Sequence, residues 1–157
     1  MTLRPGARLG IDVGRARVGV SRCDPSAILA VPVETVARDA DGDDDIRRIL
    51  ELATEHEAIE LVVGNPLSLS GTSTASTDDA VAFAERLAAA GAAVRLVDER
   101  MSTVSAQQAL RSAGKSSRKQ RPIIDQAAAV IILQHAIDAE RASGTAPGRT
   151  ISADEGL

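Results

Sequence analysis

The segment that is most informative about the fold is Leu9-Gly10-Ile11-Asp12-Val13-Gly14, which is followed directly by Arg15-Ala16-Arg17-Val18-Gly19-Val20. Two apolar strands joined by a tight turn are predicted here. Because side chains alternate along a strand, Asp12 shares a face with Gly10 and Gly14. A carboxylate in a buried strand costs free energy unless something compensates for it. Two explanations stay open: Asp12 lies on the floor of a ligand site that the glycines keep clear, or it caps a turn at the end of the strand.

The segments after these strands predict an α/β fold. A third strand over residues 30–36 favours an antiparallel start, and helices then alternate with strands. Such alternation is typical of parallel strands joined by crossover helices. The predicted elements are a helix that carries Ile46, Ile49 and Leu50, a strand at 61–63, a helix at 77–91, a strand at 93–97, and helices at 102–113 and 122–141.

The length of 157 residues suits one core, so residues 1–141 are predicted to form a single domain. Ser, Gly, Pro and Thr dominate from Ala142 onward, and residues 142–157 are predicted to be a disordered tail. No apolar run reaches transmembrane length, and the N-terminus lacks the pattern of a signal peptide. A cytoplasmic protein that does not bind a membrane is therefore expected.

The composition excludes two kinds of protein. The chain has no Trp and no Tyr, and Phe83 is its only Phe, so it offers no set of aromatic rings on which bases could stack. Cys23 is the only cysteine, which excludes an internal disulfide and a zinc site built from several cysteines. Neither a module that binds single-stranded nucleic acid by stacking nor a cysteine-cluster zinc protein is expected.

Two other acidic positions are placed in a similar way to Asp12. Asp98-Glu99 follows the strand at 93–97, and ligands bind at the carboxyl ends of strands in parallel sheets. Asp125 lies on the apolar stripe of the last helix, although the helix dipole also explains an Asp in a first turn. Carboxylates that meet in one cleft would select Mg or Mn rather than zinc. Two such ions would support phosphodiester cleavage without a Ser, His or Cys nucleophile.

Basic residues cluster just before Asp125. The formal net charge is −4, yet the stretch 111–121 contains no acid and carries Arg111, Lys115, Arg118, Lys119 and Arg121. A local basic patch can contact phosphates even in an acidic protein, because salt screens the distant charges. A solvated loop is the alternative. The position next to Asp125 favours a clamp on a nucleic-acid backbone.

Four parts of the chain resemble the RuvX family, also called YqgF, which is described as nucleases of pre-16S rRNA and is similar to RuvC Holliday junction resolvases. The matching residues are 9–14 with 17–20, 62–67 with 71–72, 98–103, and 124–134. The resemblance implies an RNase H-like fold: a mixed five-stranded sheet, with three antiparallel strands and then parallel ones, and helices on both faces. It also implies that Asp12, Glu99 and Asp125 are the catalytic, metal-binding acids.

Glu99 is chosen over Asp98 because adjacent residues of a strand face opposite sides. Arg17 and Arg100 flank the acids and are expected to contact substrate phosphates or to hold the carboxylates in place. The chain departs from the RuvC pattern at Ala128, where those resolvases carry a further acid one helical turn after the last one. This departure weakens the resolvase interpretation and leaves the number of bound metal ions open.

The expected function is that of a metal-dependent nuclease that processes the 5′ end of pre-16S rRNA in ribosome biogenesis. The alternatives are a Holliday junction resolvase that cuts branched DNA and a ribosome-associated RNA-binding factor without catalytic activity. Asp12-Val13-Gly14 also resembles the phosphate-binding turn of sugar kinases and actin-like ATPases, but those folds hold nucleotide between two domains. This chain is too short for a second lobe, and no feature of it predicts an oligomeric state.

Overall fold

The strands and helices alternate in the order that the sequence predicts. The computed structural model describes residues 3–66, 75–98 and 121–151, without the side chains of residues 76 and 121–125. Its elements are β1 (Ala7–Val13), β2 (Arg17–Cys23), β3 (Ala30–Ala37), α1 (Asp44–Glu55), β4 (Ala58–Asn65), α2 (Ala75–Ala89), β5 (Val94–Asp98), α3 (Arg121–Ser143) and β6 (Arg149–Ile151). The helix predicted at 102–113 lies outside the described residues.

The strands form one mixed sheet in the order β3-β2-β1-β4-β5-β6. β1 and β3 are antiparallel to β2, whereas β4 is parallel to β1 and to β5. These relations confirm the predicted mixed sheet of antiparallel and then parallel strands. They place the carboxyl ends of β1, β4 and β5 at one edge of the sheet.

The sheet has six strands, so the prediction of five is wrong. The additional strand is β6, which pairs antiparallel with β5 and lies within the segment 142–157 that the composition predicts to be a tail. Three residues are too few to show a period in the sequence, and the pairing is made by the backbone. Ile151 alone anchors the strand in the core, where it is buried.

Helices cover both faces of the sheet, as predicted. Leu9 and Ile11 of β1 face α1 and α2, where Phe83 is also buried. The opposite face packs against α3, which buries Ile132 and Leu133 there. Gly10 and Asp12 alternate with Leu9 and Ile11 and therefore lie on the α3 face. Within residues 3–66, 75–98 and 121–151, no helix is both long and apolar enough to cross a membrane.

An ion cluster fastens the last turns of α3 to the sheet. Glu140 of α3 accepts hydrogen bonds from Arg4 at 2.9 Å and from the buried Arg8 at 3.3 Å. Glu60 of β4 accepts hydrogen bonds of 3.0 Å from both Arg4 and Arg95. Because Arg8 and Glu60 lie near the starts of β1 and β4, this cluster is at the end of the sheet opposite to the carboxyl ends of those strands.

Candidate functional site

The first turns of α3 lie over the carboxyl end of β1. Asp12 pairs with Gly19 of β2, and Gly19 pairs with Thr35 of β3, so the three residues form one row across the sheet. Gln126 donates a hydrogen bond of 2.9 Å from Nε2 to Thr35 Oγ1, which places the start of α3 over this row. The fold therefore brings the backbone of Asp125 to the same end of the sheet, and to the same face, as the half-buried Asp12.

Helix α3 also contacts the row of paired residues that contains Gly10, two residues before Asp12 in β1. Ser21, the β2 partner of Gly10, donates a hydrogen bond of 2.8 Å from Oγ to the carbonyl oxygen of Ala129. Gly10 therefore lies near Ala129, and Asp12, two residues later in β1, lies near Gln126, three residues earlier in α3. The strand and the helix run in opposite directions here. The side chain of Asp125 is not among those described, so the distance between the two carboxylates stays a prediction.

The end of β5 reaches the same edge. Ile11 pairs with Val63, and Asn65 pairs with Asp98, so β1, β4 and β5 end side by side. Val97 packs on the α3 face, whereas Leu96 packs on the face of α1 and α2. By alternation Asp98 shares the face of Leu96, opposite to that of Asp12. This placement weighs against Asp98 as a direct partner of Asp12, while Glu99 lies outside the described residues.

The two glycines beside Asp12 do not keep space for a ligand. A Cβ added at Gly10 would lie 2.6 Å from the Ala129 carbonyl oxygen and 2.7 Å from Leu133 Cβ. A Cβ at Gly14 would lie 2.6 Å from the Arg17 carbonyl oxygen. The interpretation of the glycines as the clear floor of a ligand site is therefore wrong: Gly10 admits α3 against the sheet, and Gly14 closes the turn between β1 and β2.

The structure can place some of the predicted basic residues. Arg17 begins β2 and, by alternation with Gly19, lies on the same face and at the same edge as Asp12. Arg121 begins α3, but its side chain is not described. Outside the described residues lie Arg100, Lys115, Arg118 and Lys119. Their contacts with nucleic acid stay predictions.

The described donors at this edge of the sheet are hard oxygen atoms. Asp12 provides a carboxylate on the α3 face, whereas the side-chain oxygen of Asn65, buried without a hydrogen-bond partner among the described residues, lies on the opposite face because Asn65 pairs with Asp98. Cys23 is buried elsewhere and accepts a hydrogen bond from the Arg8 amide, so no thiol is present at the edge. Oxygen donors suit Mg or Mn. No group of three or more Asp, Glu, His or Cys residues that could hold a metal is found within the described part of the chain.

Arg38 is a residue at this edge that no sequence pattern predicts. Its Nη1 donates to the Gly14 carbonyl oxygen at 2.8 Å, and its two terminal nitrogens donate to Asp79 of α2 at 2.9 and 3.0 Å. The hydrogen bond from Arg38 holds the pKa of Asp79 below its usual value. Because Arg38 directly follows β3 in an ordinary polar connection, no motif or period marks it in the sequence.

Comparison with known proteins gives matches along most of the chain. The sequence profile of RuvX, described as Holliday junction resolvase, matches residues 6–139. A protein of Clavibacter sepedonicus is 63% identical over 150 residues, which cover 95% of this chain and 93% of that protein. A protein of Leifsonia xyli subsp. xyli is 59% identical, with 95% of this chain and 96% of that protein covered. Both carry the name "Putative pre-16S rRNA nuclease".

Solved structures that match include two of RuvC from Thermus thermophilus. One, a complex with a Holliday junction substrate, superposes with a TM-score of 0.55 at 18% identity and covers 90% of this chain and 98% of that chain. The other has a TM-score of 0.53 at 20% identity and covers 90% of this chain and 99% of that chain. At these identities the likeness concerns the fold, and it confirms the RNase H-like architecture that the motifs imply.

Proposed function

The chain belongs to the RuvX family, and on that premise we propose that it is a metal-dependent nuclease that hydrolyses a phosphodiester bond in a ribosomal RNA precursor, at the 5′ end of pre-16S rRNA. The observation that carries this proposal is the shared end of the sheet. Asp12, the backbone of Asp125 and the end of the strand that precedes Glu99 all reach one edge, although they are far apart in the sequence.

In this proposal Asp12, Glu99 and Asp125 hold one or two divalent ions, Mg or Mn. When bound by these residues, the metal would supply an activated water and positive charge that stabilises the leaving oxygen of the scissile phosphate. The protein contributes carboxylates on rigid elements: Asp12 near the end of a central strand and Asp125 in the first turns of α3. The proposed ligands are all carboxylates, and no thiol lies beside Asp12 among the described residues, which supports this choice of metal.

Cationic side chains would hold the substrate. Arg17 lies on the face of Asp12, and Arg100 follows the proposed ligand Glu99, so both are proposed to contact phosphates beside the scissile bond. The basic residues Lys115, Arg118, Lys119 and Arg121 are proposed to clamp the nucleic-acid backbone further away. A ribosomal precursor as substrate would place the protein in the cytoplasm.

RNA is favoured over a DNA junction for two reasons. Relatives that are about 60% identical are named for pre-16S rRNA, whereas the RuvC likeness concerns the fold. In addition, the position one helical turn after Asp125 holds Ala128, which is buried against the sheet and provides no carboxylate. The chain therefore lacks the further acid that is expected of RuvC-type resolvases.

The test compares the purified wild type with Asp12→Asn and with Asp138→Asn, a matched control whose exposed carboxylate pairs with Arg141 at the far end of α3. The substrates are a pre-16S rRNA fragment that retains its 5′ extension and a four-way DNA junction, each with Mg²⁺, with Mn²⁺ and with a chelator. We expect metal-dependent cleavage of the RNA by the wild type and by Asp138→Asn, and a loss of about 100-fold or more in Asp12→Asn.

Each alternative has its own result in this experiment. Equal cleavage by the wild type and Asp12→Asn would contradict a role of Asp12 in catalysis. Metal-dependent cleavage of the junction alone would make the chain a resolvase. Tight RNA binding without cleavage, unchanged in Asp12→Asn, would indicate a ribosome-associated binding factor.

A further inference from the structure

We propose that Arg38 is a positioning residue for the metal site: it fixes the turn at residues 14–16, and through that turn the carboxylate of Asp12. This inference rests on the proposed function, because it assigns Arg38 to the same site. Arg38 itself lies on the opposite face of the sheet from Asp12, so it acts through the backbone and not by touching substrate or metal.

Arg38 holds the turn at two points. Its backbone N–H donates to the Ala16 carbonyl oxygen at 2.9 Å, and its guanidinium donates to the Gly14 carbonyl oxygen at 2.8 Å. The turn is also closed internally, because the Gly14 N–H donates to the Arg17 carbonyl oxygen at 2.9 Å. The residues between the proposed ligand Asp12 and the proposed phosphate contact Arg17 thus depend directly on Arg38.

The guanidinium links this turn to α2. Both of its terminal nitrogens bond to Asp79. In the same part of α2, Thr77 Oγ1 donates to the Pro66 carbonyl oxygen at 2.8 Å and so ties the helix to the chain that leaves β4. The start of α2 therefore joins the end of β4 to the turn that follows β1, and Arg38 provides the link to that turn.

Packing leaves Arg38 little freedom to adopt another conformation. Its guanidinium carbon lies 5.0 Å from the centre of the Phe83 ring, and Arg86 lies 5.8 Å from the same centre. Its Nε lies 3.7 Å from an oxygen of Asp45, whose side chain is fully buried. A planar fork that bonds a carbonyl and a carboxylate while resting on an aromatic ring has no equivalent in lysine. A metal site requires such fixed support, because ligands displaced by a fraction of an ångström bind metal poorly.

The test measures Mn²⁺ binding by calorimetry, without substrate, alongside the Mn²⁺ concentration that gives half-maximal cleavage. The variants are Arg38→Lys and Asp79→Asn. The matched control is Arg48→Lys, since Arg48 bonds Glu34 through two nitrogens at 2.8 Å each but joins α1 to β3 and does not touch the turn. We expect the Mn²⁺ dissociation constant and the half-maximal concentration to rise about fivefold to tenfold in Arg38→Lys and Asp79→Asn, and to stay within about twofold in Arg48→Lys.

The outcomes separate this inference from the proposed function. A wild type that binds Mn²⁺ and cleaves RNA, with unchanged Mn²⁺ affinity in Arg38→Lys and Asp79→Asn, overturns the positioning role alone. An equal loss of Mn²⁺ affinity in Arg48→Lys also overturns the positioning role, because the loss would then result from lower overall stability and not from the turn. A wild type that neither binds Mn²⁺ nor cleaves overturns both. If Arg38→Lys does not fold, the Mn²⁺ affinity of Asp79→Asn alone tests the inference, since that variant keeps the bond from Arg38 to Gly14.

Discussion

The Ser21 hydroxyl on β2 donates a hydrogen bond of 2.8 Å to the carbonyl oxygen of Ala129 in α3. A helix carbonyl is ordinarily used within the helix, so this bond is an additional one that is possible only because the helix lies very close to the sheet. Gly10 makes that approach possible, since any Cβ there would meet Ala129 and Leu133. The distance between α3 and the sheet thus depends on the Ser21 hydroxyl, which bonds to the helix, and on Gly10, which has no side chain in the way.

Gly10→Ala is expected to lower the free energy of unfolding by about 1–3 kcal/mol, the usual cost of forcing extra atoms into a packed core. The added methyl group would meet the Ser21 hydroxyl and also the Ala129 carbonyl oxygen and Leu133 Cβ, and the last two cannot rotate away. Urea denaturation followed by circular dichroism measures the change. Because α3 also carries Asp125, cleavage is expected to fall at a temperature where the variant is still folded. A variant as stable as the wild type would show that α3 can shift without cost.

Gln126→Ala is expected to reduce cleavage by about tenfold while changing stability by only about 1 kcal/mol, the usual net contribution of one hydrogen bond. The bond to Thr35 fixes the turn of α3 that neighbours Asp125, so its loss should disturb the site more than the fold. Thr35→Val should have a similar effect. In the double variant the losses should not add, because both changes remove the same contact. Additive losses would show that the two residues act separately.

Glu140→Gln is expected to destabilise the protein by about 3–5 kcal/mol, because it leaves Arg8 without its full partner in a buried cluster. The change is measured by urea denaturation at neutral pH. Asp138→Asn is the matched control on the same helix, and its exposed pair with Arg141 should change stability by less than about 1 kcal/mol. Equal effects of the two variants would contradict the importance of burial here.

The same cluster predicts a pH dependence. Hydrogen bonds from Arg4 lower the pKa of Glu140 from 4.5 to about 2. A carboxyl group with a lowered pKa in the folded state stabilises the fold above its unfolded value and loses that contribution as pH falls towards its folded value. The free energy of unfolding of the wild type should therefore decrease as pH falls from 4.5 to about 2. Glu140→Gln should show a shallower decrease over this range, and an unchanged slope would exclude Glu140 as its source.

Lys115→Gln and Lys119→Gln are expected to weaken RNA binding similarly for all sequences and to reduce the slope of log affinity against log salt by about 1 each. Both residues lie outside the described part of the chain, so this prediction follows from the sequence. Arg47→Gln, on the exposed surface of α1, is the control and should leave the slope unchanged. Filter binding at several salt concentrations measures the slope. Identical slopes in the three variants would indicate that the basic segment is only solvated.

The sheet could be predicted because its signals are local. Alternation around Asp12 and the helical spacing of Ile46 and Ile49 identify elements that the structure contains. β6 could not be predicted in the same way, since Arg149–Ile151 is short and is held by its pairing with β5. Backbone pairing between distant segments leaves no period in the sequence.

The acids of the candidate site can be selected from the sequence, and their role in binding metal stays a prediction, whereas the residues that support the site cannot be selected in this way. A carboxylate in an apolar strand is unusual, and this marks Asp12 as a candidate. The glycines beside it were misinterpreted because a glycine shows that space is needed without showing what fills it, and here α3 and the Arg17 carbonyl fill it. Arg38 gave no signal, because its role depends on contacts with Gly14 and Asp79 that only the folded chain brings together.

Because α3 contacts the sheet near both of its ends, the number of residues between those contacts cannot change freely. The helix is held at Gln126, Ala129 and Glu140, and about 21 Å of helix lies between the first and last of these points at 1.5 Å per residue. Inserting or deleting one residue between them would rotate the helix by about 100° and turn the contacts on one side away from the sheet. Within α3, changes of chain length should therefore leave folding intact outside residues 126–140 and disrupt it within them, which a deletion scan of α3 followed by circular dichroism would reveal as a sharply bounded interval.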